Sequence, residues 1–123
     1  MNTKIRHLKH ELETWLRTLD YIQQENVSLK NCLADIIIND IEPEMLEEVE
    51  YFQNQFLNKD TIISLLRYDI AEQNRLAEAG EAMNGNFTML VKKHDKLRED
   101  MEKTEKEFNK LKFQFNNYLS DNL

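Results

Sequence analysis

The chain has 123 residues, of which 41% are hydrophobic and 32% are charged, and its formal net charge is −7. This length and apolar content suffice for one modest core but not for two, so we expect a single domain over residues 1–123. Two glycines and one proline are too few for the many turns of a sheet and favour long helices. The acidic balance argues against a partner recognised through its phosphate backbone, so we expect no nucleic acid.

Cys32 is the only cysteine, which rules out a disulfide within the chain. The sequence has no signal-like apolar region near its start and no apolar run long enough for a transmembrane helix, so neither secretion nor a membrane span is predicted. The expected location is the cytoplasm. Cys32 is interpreted as a small, partly buried residue and not as a nucleophile, because the helix alignment below brings no histidine near it.

A heptad pattern runs through the first third of the chain. Steps of three and four residues from Ile5 to Ile36 land on apolar side chains, with one polar exception at Asn26. This period places the side chains on one helix face and predicts a first helix over about residues 3–40. Asn26 occupies a core-facing a position, where an apolar residue would be the ordinary choice.

Two further runs with the same period follow. Proline disfavours helical geometry in the residue before it and suits a helix's first turn, so Pro43 predicts a second helix over about residues 43–82. Asn84-Gly85 is the next turn signal, since glycine accepts the left-handed conformation that ends helices. The third helix is then predicted over about residues 86–120, with Gly80 as an alternative position for the second turn.

The first turn fixes which core positions of helices 1 and 2 face each other. If the chain reverses at Glu42-Pro43, antiparallel packing places Asn26 opposite Lys59, the one charged residue of the second stripe. A hydrogen bond between them would recover part of the cost of burying each one, and it would penalise shifted registers. We therefore predict that Asn26 and Lys59 form a register-setting polar layer.

The position of the second turn likewise determines which core positions of helices 2 and 3 face each other. A reversal at Asn84-Gly85 places Gln73 opposite His94, whereas a reversal at Gly80 would place His94 against Leu66. The first arrangement is preferred because it pairs polar with polar. It predicts a second register-setting layer, made of Gln73 and His94.

The fold class that follows is all-α, with three long antiparallel helices in an up-down-up, coiled-coil-like bundle. Each helix has about 35 residues and a length of about 52 Å. This layout resembles spectrin-repeat-like three-helix bundles, and the resemblance covers architecture and not residues. The alternative is a parallel homodimer through helix 1, because a single asparagine at an a position is a known specifier of parallel dimers.

The residue types that carry catalysis or bind metals are sparse. His7-x-x-x-Glu11 resembles one fragment of the spacing in hemerythrin-type di-iron bundles, but the further histidines that such a site needs are missing. The sequence has no glycine-rich phosphate loop and no Cys-x-x-Cys motif. We expect no catalytic residues, no cofactor and no metal. An acidic cluster over residues 42–50 is interpreted as a solvated helix start, and docking of a basic partner is the functional alternative.

Three large side chains fall at outward positions near one end of the predicted bundle. Ile38 and Phe113 take f positions and Tyr51 takes a c position, which is unusual for an isoleucine and a phenylalanine. We predict that they form a patch for a protein partner or for a second copy of the chain.

The sequence therefore predicts a non-catalytic protein–protein interaction module that presents its helix faces to a protein partner. An adaptor, an assembly factor and a chaperone-like bundle all fit this description. The alternative function is a structural coiled-coil homo-oligomer, a rod or filament component that pairs through helix 1. A homodimer is compatible with either function.

Overall fold

The computed structural model describes residues 3–83 and 87–122, with residues 80–83 described as backbone only. The chain forms three long α-helices: α1 over Thr3–Asn39, α2 over Leu46–Met83 and α3 over Phe87–Asn122. A single 3-10 turn at Pro43–Met45 precedes α2. The predicted all-α class and three-helix bundle are confirmed.

The first reversal lies where proline predicts it. Glu42 has extended backbone angles, φ −111° and ψ 152°, because the ring of a following proline disfavours helical geometry. Pro43 then opens a 3-10 turn in which the amide of Met45 donates to the carbonyl of Glu42 at 2.9 Å. The regular α-helix consequently begins at Leu46, three residues later than the sequence predicts.

The second reversal falls between α2 and α3. The helix continues through Gly80 to Met83, so the chain does not turn at Gly80. The predicted turn residues Asn84-Gly85 lie outside the described residues, and α3 begins just after them, at Phe87. α3 also ends two residues later than predicted, at Asn122.

The core follows the heptad stripes of all three helices. The fully buried side chains include Phe56, Phe108 and Phe115. Phe52 and Tyr118 pack with Phe56 and Phe115, with ring centroids 5.1–6.4 Å apart. Full burial of one such side chain contributes about 1.5–3 kcal/mol to folding, so this aromatic cluster anchors the end of the bundle that carries the first turn.

Cross-helix contacts give the directions of the helices. α1 and α2 run antiparallel, since Lys9 pairs with Glu78 near one end and Lys30 pairs with Asp60 nearer the other. α1 and α3 run parallel: the pair Glu11 and Arg98 and the pair Glu25 and Lys112 have the same separation of 87 residues. α2 is thus the middle segment of an up-down-up bundle.

A matched pair of phenylalanines tests the position of this core. Phe115→Ala removes a ring with 0% exposure and should lower the free energy of unfolding by about 3–5 kcal/mol. Phe113→Ala removes a ring that is 66% exposed and should change it by about 0.5 kcal/mol or less. Urea unfolding followed by circular dichroism measures both, and similar losses for the two variants would contradict the observed packing.

Candidate functional site

The Asn26 layer joins α1 to α2 through hydrogen bonds. Asn26 is completely buried, and its Nδ2 donates to the Phe56 carbonyl at 3.0 Å and to Asp60 Oδ1 at 2.9 Å. The other carboxylate oxygen of Asp60 accepts from Lys30 Nζ at 2.6 Å. Both amide hydrogens of Asn26 are therefore used, while its Oδ1 is buried without a hydrogen-bond partner.

Asn26 and Lys59 have different partners from those that the sequence predicts. Both are buried, at 0% and 5% exposure, but Lys59 Nζ lies 3.7 Å from Glu107 on α3. The physical reason is that a carboxylate is a better acceptor than an amide oxygen. Asp60 accepts a hydrogen bond from the Asn26 amide, so Asn26 joins α1 to α2. Glu107 pairs with the Lys59 ammonium group, so Lys59 joins α2 to α3.

The His94 layer joins all three helices. Gln73 Nε2 donates to the Leu90 carbonyl at 2.9 Å and lies 3.5 Å from His94 Nδ1. His94 Nε2 lies 3.0 Å from Glu11 Oε1. The structure thus brings Gln73 and His94 together, as expected for a turn after Met83, and adds a carboxylate from α1.

Trp15 and Arg98 enclose this layer. The Trp15 ring stacks on the fully buried imidazole with centroids 4.7 Å apart. The Arg98 guanidinium binds both carboxylate oxygens of Glu11, at 2.6 and 3.2 Å, and also bonds Asp95 at 2.8 Å. The arrangement holds the imidazole rigidly away from solvent, so it serves packing and offers no access to a substrate.

The electrostatics of this layer follow from burial and from Arg98. Burial lowers the pKa of His94 below its ordinary value of 6.5, and the hydrogen bond to Glu11 acts in the opposite direction. The guanidinium of Arg98 lowers the pKa of Glu11 below its ordinary value of 4.5. Near neutral pH, His94 is therefore neutral and Glu11 is ionised.

Sequence reasoning did not find the charged members of these layers. Glu11, Lys30, Asp60 and Arg98 flank the stripes at e and g positions, where coiled-coil helices place their cross-helix ion pairs. That rule could have identified them once the helix directions were known. His7 takes no part in the layer, because it is exposed on α1.

The residues of the predicted end patch lie on three different helices. Ile38 is 77% exposed on α1 and Phe113 is 66% exposed on α3. Tyr51, which is 48% exposed, lines an open groove of about 300 Å³ between α2 and α3. Apart from Leu111, the other residues that line the groove are polar, and they include Lys59 and Glu107.

A different surface stands out on α2. Every exposed side chain between residues 51 and 68 is uncharged, in a chain with 32% charged residues. These side chains are Tyr51, Gln53, Asn54, Leu57, Asn58, Thr61, Ser64, Leu65 and Tyr68.

The neighbouring part of α1 has the same character. Every exposed side chain between residues 21 and 34 is uncharged, namely Tyr21, Gln23, Gln24, Val27, Ser28, Asn31 and Ala34. The contacts of Arg67 with Asp20 and of Lys30 with Asp60 place this segment beside residues 51–68 of α2. Tyr51 and Asn58 line the groove between α2 and α3, and Leu65 follows Asn58 by one heptad, so these three lie on the α3 side of α2. Tyr21 bonds Glu25, which pairs with Lys112 of α3, so Tyr21 and Ser28, one heptad later, lie on the α3 side of α1. We call the remaining exposed residues of the two segments the uncharged face: Gln23, Gln24, Val27, Asn31, Ala34, Gln53, Asn54, Leu57, Thr61, Ser64 and Tyr68.

The charged residues of the two segments all have ion-pair partners. Lys30 pairs with Asp60, and Arg67 pairs with Asp20 just beyond the edge of the face, both at 2.6 Å. Glu25 pairs with Lys112 at 2.6 Å. The signal was present in the sequence, since residues 51–58 and 61–66 contain no charged residue, but only the pairing of the helices shows that the two segments adjoin.

Other kinds of site find no support in the described part of the chain. Over residues 3–83 and 87–122, no group of three His, Cys, Asp or Glu side chains has a geometry that could hold a metal ion. Within the same ranges no helix is both apolar and long enough to cross a membrane. Comparison with protein-family models, with curated proteins and with solved structures gives no match to this chain.

A negative charge placed at Asn26 should destabilise the fold. Asn26→Asp replaces the buried donor by a third acceptor beside Asp60 and the Phe56 carbonyl, so the free energy of unfolding should fall by about 3 kcal/mol or more at neutral pH. Asn31→Asp makes the same chemical change at an exposed position of α1 and should cost about 0.5 kcal/mol or less. Urea unfolding of dilute protein compares them, and equal losses would contradict the role of Asn26.

The His94 layer should make the stability of the fold depend on pH. Because the folded pKa of His94 lies below 6.5, the unfolded chain takes up a proton first as the pH falls, and stability decreases below that value. The pKa of Glu11 is also lowered by the fold. Its contribution to stability is therefore fully present above the ordinary pKa of 4.5 and is lost as the pH falls further.

We expect the free energy of unfolding to fall from about pH 7 to about pH 5 and His94→Gln to flatten this part of the curve. His10→Gln, at an exposed position of α1, is the control and should keep the wild-type slope. Denaturant unfolding at several pH values provides the comparison. An unchanged slope in His94→Gln would show that the imidazole is not held neutral by the fold.

Proposed function

We propose that the chain is a non-catalytic protein–protein interaction module that binds its partner through the uncharged face. Such a module acts as an adaptor, an assembly factor or a chaperone-like bundle. The supporting observation is the loss of exposed charge from two adjoining helix segments in an otherwise highly charged chain. Depletion of charge, with tyrosine and apolar residues present, is the composition that distinguishes the centres of protein interfaces.

The packing of the two helices beneath the face supports the same function. The uncharged face lies on helices, and the Asn26 layer and the ion pairs of Lys30 and Arg67 hold α1 and α2 together beneath it. A rigid surface loses little conformational entropy on binding. The charges along the seam already have partners, so a docking protein meets no lone charge there that it would have to desolvate.

A non-catalytic role agrees with the chemistry of the described residues. His94 is the most reactive group in the polar layers, but it is fully buried beneath Trp15. We also propose a cytoplasmic location, and the free, partly buried thiol of Cys32 is one argument for it.

Pairing through helix 1, the alternative function, competes with the packing of α1 inside the bundle. The apolar stripe of α1, from Ile5 to Ile36, is already covered by α2 and α3 within the same chain. A parallel rod built on that stripe would require α1 to leave the bundle and expose the cores of the other two helices.

Three baits test the proposed function. Wild type and the variants Tyr68→Lys and Phe113→Lys are used to capture proteins from the native cells, and each captured protein is then purified and titrated with the same three chains. Tyr68 and Phe113 are 69% and 66% exposed, so both substitutions change similar surface residues in the same way. A specific partner should bind wild type and Phe113→Lys equally and Tyr68→Lys about tenfold or more weakly. Equal binding to all three, or no partner other than the chain itself, would contradict the proposal.

A further inference from the structure

We infer that a second copy of this chain docks on the uncharged face. The inference rests on the proposed function, because it names an occupant for the same face. Docking of a second copy is supported by the chemistry of the exposed side chains, by the charge of the rest of the molecule and by the position of two apolar residues.

The polar groups of the face are complementary to themselves. Five of its exposed side chains are primary amides, Gln23, Gln24, Asn31, Gln53 and Asn54. An amide carries both donors and an acceptor, so it can pair with an identical group. A two-fold dimer sets a surface against a copy of itself and therefore requires this kind of self-complementarity.

Charge favours this face over the others for self-association. Each copy carries a net charge of −7, and like charges that meet across an interface cost several kcal/mol, roughly. On α3, by contrast, most exposed side chains between residues 92 and 110 are charged. Two copies that meet through the uncharged face bring no unpaired like charges together, and a strongly basic partner would find no free carboxylate there.

Val27 and Leu57 supply an apolar centre. They follow directly on Asn26 and Phe56, which are joined by the hydrogen bond from Asn26 Nδ2 to the Phe56 carbonyl. Val27 is 43% exposed and Leu57 is 53% exposed, so both side chains flank the same level of the α1–α2 seam. An apolar centre within a polar rim is the ordinary anatomy of an interface.

The face is smaller than a standard stable interface. Residues 51–68 of α2 extend about 27 Å, and two helices side by side are about 20 Å wide. The projected area of the face is therefore about 540 Å², without the additional area that uneven side chains contribute. Stable interfaces bury about 800 Å² on each partner. The face therefore suits a weak dimer that forms as the protein concentration rises.

Sedimentation equilibrium of the purified full chain tests the inference with a matched pair of variants. Leu57→Lys should raise the Kd of the wild-type dimer about tenfold or more, because two lysines meet near the centre of the interface. Phe113→Lys should leave the Kd unchanged. Both variants change the net charge from −7 to −6, so general repulsion between copies decreases equally in each and cannot explain a loss of dimer.

Thr61→Lys is a second variant on the face, at a position exposed on α2, and should act like Leu57→Lys. Circular dichroism of all three variants establishes that they are folded. A wild-type chain that remains monomeric at all concentrations would overturn the inference, as would a dimer that Phe113→Lys weakens and Leu57→Lys does not.

The two proposals fail in different ways. If the purified chain is monomeric but a captured partner still depends on Tyr68, the second-copy inference is wrong and the proposed function stands. If the dimer depends on Leu57 and no other protein is captured, the inference stands and the adaptor role is wrong.

Discussion

The structure depends on one constraint: three helices of nearly equal length each carry an apolar stripe, and each stripe is covered by the other two helices. α1, α2 and α3 have 37, 38 and 36 residues, so no stripe extends far past its neighbours. Hydrophobic burial along these stripes is the dominant stabilising contribution. It does not by itself select one register, because leucines and isoleucines pack acceptably against many partners.

The polar layers supply that selection. A shift of α2 by one heptad would separate both Asn26 and Lys30 from the carboxylate of Asp60, whose bonds to them are the part of this layer that is specific to one register. A shift of α3 would separate His94 from Gln73 and Glu11. An unsatisfied buried polar group costs about 1–3 kcal/mol, so the two layers favour one alignment of all three helices.

The sequence predicts the fold well and the surface poorly, for physical reasons. The heptad period fixed the helices, and Pro43 located the first turn to within three residues of the start of α2. The partners of Asn26 and Lys59 could not be predicted from core positions alone, because Asp60 and Glu107 approach from outside the stripes. The uncharged face was also missed, since it becomes one surface only when α1 and α2 lie side by side. Ile38 and Phe113 were singled out because each is unusual alone, and they lie exposed on different helices, α1 and α3.

The central claim is that all three stripes are satisfied within one chain, with α1 and α3 parallel and adjacent. Spin labels at Ser28→Cys and Asn116→Cys, in a Cys32→Ser background, test it most directly, because the contact of Glu25 with Lys112 places these exposed sites on neighbouring helices at the same level. The account predicts one narrow distance of about 20 Å or less, unchanged when labelled protein is diluted with an excess of unlabelled chain. A much longer distance, or one that disappears on dilution, would contradict it.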